Sequence, residues 1–450
     1  MLKWGGKEKM KKLRRFLGAF MALVVLMAVF GCSPQKSTEK PAHRGLYTAE
    51  DGTIMYEGAP FYGFGVNYYS LLNCAFTQKW DISNSLSAME TLAEYDVRVI
   101  RFNLAGYAVS DWDYVIKKED RYFEALDSLV AKAEELGIGL IPSFFWASRG
   151  LTDYFDEPQS AAYAAENSKS MQFILEFTEK IVQRYAESSG IWGWEFSNEV
   201  NLGMDYPDEY WNSNKPALPA NSQRAERTED DRLKSDDYVH ALRLWAEVVE
   251  KNDPYGRIIG NGDASARAYA YNWKYNNGSY TEDTLEQHQQ MLDLTNPDPV
   301  SVVSFHGYAV NSVATVNNPE NLSEYMGTDN WDEYIQYLVA QGKRMKKAAY
   351  LGETGYLYSD ATLNDVQNGF TAEKIVSVYQ TIATAAIKND LQLALFWNYD
   401  DRPDYNPQDP TDKSSGTEWS WNERWDKGRG ILEVIRESNR ILEEKHKQTN

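Results

Sequence analysis

The chain contains little cysteine, and that scarcity excludes two classes of protein. Among its 450 residues only Cys32 and Cys74 are cysteines. Two cysteines cannot build the disulfide framework of a small secreted domain or a zinc site with four cysteine ligands. Histidine is also rare, with five residues and no HExxH spacing, which argues against a catalytic zinc ion.

Basic residues are outnumbered as well. The 46 Lys and Arg residues face 66 Asp and Glu residues, a formal net charge of −20. A surface of that sign repels phosphate backbones, so nucleic acid is not expected as a partner, and an anionic polysaccharide is disfavoured for the same reason. Aromatic residues, in contrast, make up 14% of the chain, with 14 Trp and 30 Tyr. Such a surplus favours surfaces that bind sugars.

Long apolar runs are missing except near the N-terminus. Basic residues from Lys3 to Arg15 precede an apolar run over residues 16–30, which is shorter than the about 20 residues of a membrane span. Because Gly31 and Cys32 follow, the segment resembles a bacterial lipoprotein signal, in which Cys32 would be lipidated and become the new N-terminus. An uncleaved anchor helix is the alternative, and either one predicts an exported protein tethered to a membrane.

This signal divides the chain into three parts. Residues 1–31 are predicted to be a lipoprotein signal peptide and residues 32–50, polar with two prolines at the start, a flexible stalk. Residues 51–450 remain for the folded domain. That length suffices for one large barrel or two ordinary domains.

From residue 60 onward, apolar strand-like runs alternate with segments of helical period, as in a series of βα units. Eight strands are predicted, at residues 64–67, 97–102, 138–145, 191–200, 257–261, 300–306, 348–353 and 393–397. Eight such units in one chain predict an α/β fold, a single (β/α)8 TIM barrel. Two long polar loops interrupt the pattern, at 201–237 and 398–425, and we expect the first, with Tyr206, Tyr210 and Trp211, to line a substrate cleft.

Polar residues stand where several predicted strands end. Residues 191–200 read as a buried strand that ends in Asn198 and Glu199, and another strand ends at Glu353. A carboxyl group in that place is costly unless it is paired or used, and active sites of (β/α)8 barrels lie at the C-terminal ends of the strands. Cleavage of a glycosidic bond needs two carboxyl groups, one to protonate the leaving oxygen and one to attack or to activate water.

Four further residues stand at the same strand ends. Arg101 can hold a carboxylate in its ionised form, Tyr308 can donate a hydrogen bond to it, and Trp397 offers a flat apolar face for a sugar ring. His306 precedes Tyr308 by two residues. Taken singly, His306 and Trp397 are more often interior residues than functional ones, and Arg101 is compatible with a surface charge.

Together, these residues resemble glycoside hydrolase family 5, whose retaining barrel enzymes carry their two acids on the fourth and seventh strands. The resemblance covers roughly residues 55–445. It implies that Glu199 is the acid/base and Glu353 the nucleophile, while Asn198 contacts the sugar 2-hydroxyl.

The resemblance also assigns roles to the residues around this pair. It implies that His306 lines the same subsite, that Arg101 and Tyr308 position Glu353, and that Trp397 is a sugar platform. The family's usual histidine near the end of the third strand is missing, and Trp146 stands there as a candidate aromatic wall.

The resemblance predicts a retaining glycosidase that acts on a neutral β-1,4-linked mannan or glucan, with no cofactor and no metal because two carboxyl groups suffice. A glycan-binding lipoprotein without turnover is the alternative, and transglycosylation would use the same intermediate. The mechanism requires Glu199 to start protonated, so we expect a raised pKa for Glu199 and an ionised Glu353 beside Arg101 and Tyr308. Glu195, two residues before Ser197 on the same strand, reads as a buried structural acid.

Overall fold

The computed structural model describes residues 43–77, 79–309, 330–356, 372–400, 420–424 and 426–447. The predicted signal peptide, the lipidation candidate Cys32 and most of the second long loop lie outside these residues. Within them, no helix combines the length and the apolar character that a membrane crossing requires.

The barrel predicted from the sequence is confirmed. Eight parallel strands form one sheet. Numbered after three short strands of the N-terminal segment, β1 to β3, they are β4 Gly63–Asn67, β5 Val99–Asn103, β6 Gly139–Phe145, β7 Gly193–Ser197, β8 Ile258–Gly260, β9 Val302–Ala309, β10 Ala348–Tyr356 and β11 Leu393–Phe396. Their order in the sheet is β8-β7-β6-β5-β4-β11-β10-β9. Two hydrogen bonds connect the ends of this order: Ser301, next to β9, donates through its N to Ile259 O in β8 at 2.9 Å, and Ile259 N donates to Ser301 Oγ at 3.0 Å.

Thirteen α-helices lie in the described part of the chain, and the longer ones cover the outside of the barrel. In chain order they are α1 Ser70–Thr77, α2 Ser83–Glu94, α3 Trp112–Lys117, α4 Glu119–Leu136, α5 Ser148–Tyr154, α6 Lys169–Tyr185, α7 Asp208–Asn214, α8 Ser235–Asn252, α9 Ala270–Tyr275, α10 Leu285–Thr295, α11 Trp331–Met345, α12 Ala372–Lys388 and α13 Asp426–Lys447. The short helices α1, α3, α5, α7 and α9 follow strands and carry too few turns for a periodic pattern, so the sequence did not predict them.

Two apolar clusters make the core. The larger one fills the space between the strands and the surrounding helices. The smaller one fills the lower barrel interior and includes Val99, Ile141, Val302 and Leu395, which are all buried. Because strand side chains alternate, Arg101 and Asn103 follow Val99 on the inward face toward the C-terminal end. The polar site therefore lies on top of an apolar floor.

The predicted stalk is wrong for its last eight residues. Residues 43–50 belong to the folded domain, and Tyr47–Thr48 pairs as strand β1 with β2, Ile54–Tyr56. Leu46 is fully buried in the lower cluster, its N donates to Trp192 O at 2.9 Å, and its O accepts from Ile258 N at 2.8 Å. The Leu46 side chain, which packs at the N-terminal end of the barrel, therefore fixes this segment to the folded domain.

A short hairpin completes this N-terminal sheet. Strand β2 pairs with β3, Ala59–Pro60, across Glu57 and Gly58. Both turn residues have positive φ, 50° and 85°, as a two-residue type I′ hairpin requires. The sequence analysis missed this hairpin because its strands are too short to show alternation.

Candidate active site

Contacts connect all eight predicted barrel-site residues at the C-terminal end of the strands. The residues are Arg101, Trp146, Asn198, Glu199, His306, Tyr308, Glu353 and Trp397. Each of them contacts at least one other member through a hydrogen bond or a ring contact. The strands bring together side chains that are up to about 300 positions apart in the chain, as expected at the C-terminal end of a barrel.

Arg101 is the centre of this network and is fully buried. Its Nη1 donates to Glu353 Oε1 at 2.9 Å, its Nη2 to Asn198 Oδ1 at 2.7 Å, and its Nε to Glu195 Oε1 at 2.7 Å. A buried guanidinium is stable only when it is paired and hydrogen-bonded, and here two acids and two amides satisfy it. Nη1 also donates to Asn67 Oδ1 at 2.9 Å.

Glu353 is held from both sides. Arg101 binds Oε1, and the Tyr308 hydroxyl donates to Oε2 at 2.5 Å. Burial, followed by the negative charges of Glu353 and Glu199, raises the pKa of Tyr308 well above its usual value, so this phenol stays a donor. A register shift in β10 between Leu351 and Glu353 places Glu353 opposite His306.

Gly352 makes that bulge possible. A Cβ on Gly352 would lie 2.5 Å from Ser304 Oγ and 2.9 Å from His306 Nε2. A larger residue would therefore push His306 out of its place, so the Gly-Glu pair at the strand end is a structural requirement.

Glu199 follows the end of β7 in a left-handed backbone conformation, with φ 51° and ψ 25°. This conformation is uncommon for a residue with a side chain, and it directs the chain into the turn Val200–Gly203. The Glu199 N–H donates to Gly262 O at 2.9 Å, which fixes this turn to the loop after β8. The Glu199 side chain is 26% exposed, and its Oε1 lies 2.8 Å from His306 Nδ1.

The pKa values of the two carboxyl groups shift in opposite directions, and in the opposite order to our expectation. Burial favours neutral Glu199, but the hydrogen bond and charge of His306, then the charges of Arg101 and Arg267, outweigh it and hold the pKa of Glu199 below its usual value. Burial, with the charge of Glu199, raises the pKa of Glu353 despite His306, Arg101 and Tyr308. The expected raised pKa of Glu199 is therefore wrong for the ligand-free site, because His306 contacts this carboxyl directly.

One oxygen of each carboxyl and the His306 ring nitrogen lie within 4.8 Å of one another. This distance lies nearer to the about 5–5.5 Å between the carboxyl groups of retaining glycosidases than to the wider gap of inverting enzymes, which leaves room for a water molecule. Glu199, His306 and Glu353 are also the group among the described residues that could ligate a divalent cation.

Aromatic rings form a wall beside Arg101. The Trp146 ring lies 4.8 Å from the Arg101 guanidinium, stacks on Trp397 with centroids 5.9 Å apart, and contacts Tyr69 at 5.0 Å. Trp397 N donates to Thr354 O at 2.8 Å, so the end of β10 positions this ring. Trp146 thus occupies the place where the family's usual histidine was missing.

Two buried residues beyond the predicted set hold this site: Asn67, which the sequence pattern did not indicate, and Glu195, which it indicated only as a structural acid. Asn67, at the end of β4, donates through Nδ2 to Gly352 O at 2.9 Å while it accepts from Arg101. Glu195 accepts from Arg101 and from the Tyr350 hydroxyl, the latter at 2.6 Å. The alternation of side chains along a strand predicts which residues of the neighbouring strands point inward with Arg101. Which of these residues pair with Arg101 depends on the strand register, which the sequence does not show.

The chain shares its fold with solved glycosidases of low sequence identity. It is similar to the endo-1,4-β-mannanase from Rhizomucor miehei, with 18% identity, 89% of this chain and 99% of that chain covered, and a TM-score of 0.55. The glycoside hydrolase family 5 mannosidase from the same organism has 12% identity, coverage of 90% and 99%, and a TM-score of 0.59. The exo-β-1,4-mannosidase from Opitutaceae bacterium strain TAV5 has 15% identity, coverage of 88% and 62%, and a TM-score of 0.55.

These similarities show the (β/α)8 barrel fold, and the neighbours' names agree with the family that the strand-end residues resemble. No protein-family model matches the chain, and no curated protein matches it in sequence.

Proposed function

We propose that the protein is a retaining glycoside hydrolase of the family 5 type. The observation that carries this proposal is the pair of Glu199 and Glu353, which have carboxyl oxygens within 4.8 Å of each other, and in which Glu353 accepts hydrogen bonds from Arg101 and Tyr308. A site that only binds glycans needs no such asymmetric pair.

Glu353 attacks the anomeric carbon and forms a glycosyl ester, while Glu199 gives its proton to the leaving oxygen. Glu199 then takes a proton from the water that hydrolyses the ester. Because the pKa of Glu199 lies below its usual value in the ligand-free site, substrate binding has to raise it before Glu199 can donate a proton. A sugar hydroxyl that takes over the His306 Nδ1 contact would raise the pKa of Glu199 and favour this transfer.

The proposed substrate is a neutral β-1,4-linked polysaccharide, a mannan or a glucan. Two features support a neutral sugar chain: the formal net charge of −20 and the ring wall of Trp146 and Trp397. Neighbours in fold are named as mannanases and mannosidases, which favours mannan.

Two measurements test the activity. The folded domain is incubated with mannan, cellulose and other β-glycans, and the reducing ends released are identified. NMR of the first product, before mutarotation, should show the β-anomer, whereas an initial α-anomer contradicts the double displacement.

Variants separate hydrolysis from glycan binding. Glu353→Gln and Glu199→Gln should bind oligosaccharides and lose turnover by at least about 10³-fold. Binding without turnover in the wild type would favour the glycan-binding alternative. Added oligosaccharide acceptors that become incorporated into longer products would reveal transglycosylation.

The proposal includes export and a lipid anchor at Cys32. The basic segment up to Arg15 and the apolar run at residues 16–30 support it. Labelling with a fatty-acid analogue in a bacterial host should mark the wild type and not Cys32→Ser, and equal labelling of both would contradict the anchor.

A further inference from the structure

Five aromatic rings form a cluster in the loops after β7 and β8, outside the strand-end site. Tyr206 and Tyr210 belong to the first loop, and Tyr269, Trp273 and Tyr280 to the second. Trp273 is the centre, with ring centroids 5.7 Å from Tyr206, 6.1 Å from Tyr210, 4.9 Å from Tyr269 and 5.6 Å from Tyr280. We call these residues the ring cluster.

Contacts join the two loops directly beside Glu199. Asn201 and Ala264 exchange two hydrogen bonds, from Asn201 Nδ2 to Ala264 O at 2.7 Å and from Ala264 N to Asn201 Oδ1 at 3.1 Å. Arg267 Nε donates to Leu202 O at 2.6 Å. Leu202 N in turn donates to Glu199 O at 3.0 Å, so the loop contacts begin at the residue that carries the proposed acid.

Arg267 connects this acid to the ring cluster. Its guanidinium lies 5.6 Å from the Tyr206 ring and 5.5 Å from the Trp273 ring. Its positive charge also contributes to the low pKa of Glu199. The cluster therefore extends outward from the Glu199 side of the site, and it ends at Tyr280, which is 52% exposed.

The cluster is built on a fixed support. Buried Asp283 accepts from Tyr271 N at 2.8 Å and from Asn272 N at 3.0 Å, which holds the first turn of α9 beneath Trp273. Gly278 packs against Pro207 so closely that a Cβ there would lie 2.8 Å from Pro207 Cβ. Rings held in this way lose little conformational entropy when a ligand stacks on them.

We propose that the ring cluster binds the leaving-group side of the glycan, that is, the neutral sugar residues beyond the cleaved bond toward the reducing end. This inference rests on the proposed function, because the leaving group departs on the side of the acid. Sugar rings have apolar faces that stack on Tyr and Trp, and Arg267 supplies hydrogen-bond donors for hydroxyl groups. The Trp146 and Trp397 wall, in contact with Arg101, then serves the other side of the cleaved bond.

The test compares two kinds of substrate. Cellohexaose and mannohexaose can place sugars on both sides of the cleaved bond, whereas nitrophenyl β-cellotrioside and β-mannotrioside carry only a small aryl leaving group. For Tyr280→Ala, and for the double variant with Tyr210→Ala, kcat/KM on the hexaose should fall about five- to tenfold relative to kcat/KM on the aryl glycoside. Tyr275→Ala is the matched control, since Tyr275 is also 52% exposed in this loop but lies outside the cluster.

The outcomes separate this inference from the proposed function. If the wild type hydrolyses either probe and the ratio of the two kcat/KM values is the same in all variants, the ring cluster does not bind the leaving group and the inference is wrong. A larger loss on the aryl glycoside would place the cluster on the opposite side and also overturn it. A wild type that hydrolyses neither kind of probe contradicts the proposed function, and the inference with it.

Discussion

At the scale of single residues, Glu195 fixes the direction of the Arg101 guanidinium. Glu195 is fully buried, and its two oxygens accept from Arg101 Nε at 2.7 Å and from the Tyr350 hydroxyl at 2.6 Å. With Nε fixed, the two terminal nitrogens of Arg101 donate to Asn67, Asn198 and Glu353. Glu195 is therefore a positioning residue that acts on Glu353 through Arg101.

Glu195→Gln tests this role. The amide holds Arg101 less firmly, so Glu353 loses stabilisation of its charged form and its pKa rises further. We expect kcat/KM to fall about 10²-fold and the acidic limb of its pH profile to move to higher pH. Tyr350→Phe, which leaves the Glu195 charge in place, should cause a smaller shift in the same direction. A loss of stability with an unmoved acidic limb would show a merely structural role.

The pKa values of the acid pair allow a second test, with two variants that should shift a carboxyl titration in opposite directions. His306→Gln removes the charge that lowers the pKa of Glu199, so its titration should move to higher pH. Glu199→Gln removes the negative charge that helps to raise the pKa of Glu353, so the titration of Glu353 should move to lower pH. Carboxyl NMR of labelled glutamate follows both. Shifts of the same sign in the two variants would contradict the pairing.

Residue types at the strand ends were enough to predict which side chains converge, but not how they pair. Glu199, Glu353, Arg101 and Tyr308 were found because carboxyl, guanidinium and phenol groups at strand ends are costly without a use. No residue pattern encodes the contact of His306 with Glu199, or the bulge at Gly352 that places Glu353 opposite His306. For this reason the predicted order of the two pKa values was reversed.

At the scale of elements, the loop after β7 is held in place by buried charges. Arg227 Nη1 and Nη2 bind the two oxygens of Asp153 in α5, both at 2.6 Å, and Nη1 also reaches Asp231 at 3.1 Å. Arg224 adds a second contact to Asp231. The sequence alone does not reveal this support, because the Arg227–Asp153 pair joins residues 74 positions apart.

Arg227→Ala should release this loop. It leaves buried Asp153 and Asp231 without their partner, so we expect a loss of about 3 kcal/mol in the free energy of unfolding. The ring cluster should lose its support on the Tyr206 side, so KM for a hexaose should rise more than KM for an aryl glycoside. Arg184→Ala is the control, because its pair with Asp127 is exposed and is worth at most about 1 kcal/mol. Equal effects of the two variants on stability would contradict the role of Arg227.

The eight strands were predictable because each is an apolar run bounded by helical segments, and the structure moves their ends by only a few residues. The hairpin at Glu57 and Gly58 and the buried Leu46 were not, because they depend on tertiary contacts at the bottom of the barrel. The local apolar pattern therefore predicts the repeating strand–helix units, whereas the N-terminal hairpin and the position of Leu46 depend on tertiary packing.

At the scale of the whole molecule, an excess of acid must be accommodated in the interior as well as on the surface. Asp263 is 3% exposed and forms no salt bridge with any residue in the described ranges. Its oxygens accept from the Tyr238 hydroxyl and from Asn261 Nδ2, both at 2.9 Å. Burial raises the pKa of Asp263 to about 7, although these and other hydrogen bonds, and the charge of His306, act oppositely. The folded chain thus keeps a proton that the unfolded chain releases.

This proton makes stability depend on pH in a defined direction. Because the folded pKa lies above the ordinary value of 3.8, the contribution of Asp263 is fully present below pH 3.8 and is lost as the pH rises to about 7. Between these limits the loss is at most about 4 kcal/mol, at 1.36 kcal/mol per pKa unit. Asp263→Asn cannot ionise at this position, so its free energy of unfolding should rise relative to that of the wild type between pH 4 and pH 7. Urea unfolding across this range measures the difference, with exposed Asp120→Asn as control. A difference between wild type and Asp263→Asn that stays constant with pH would mean that Asp263 is already ionised in the folded chain at pH 4, and that the hydrogen bonds from Tyr238 and Asn261 outweigh its burial.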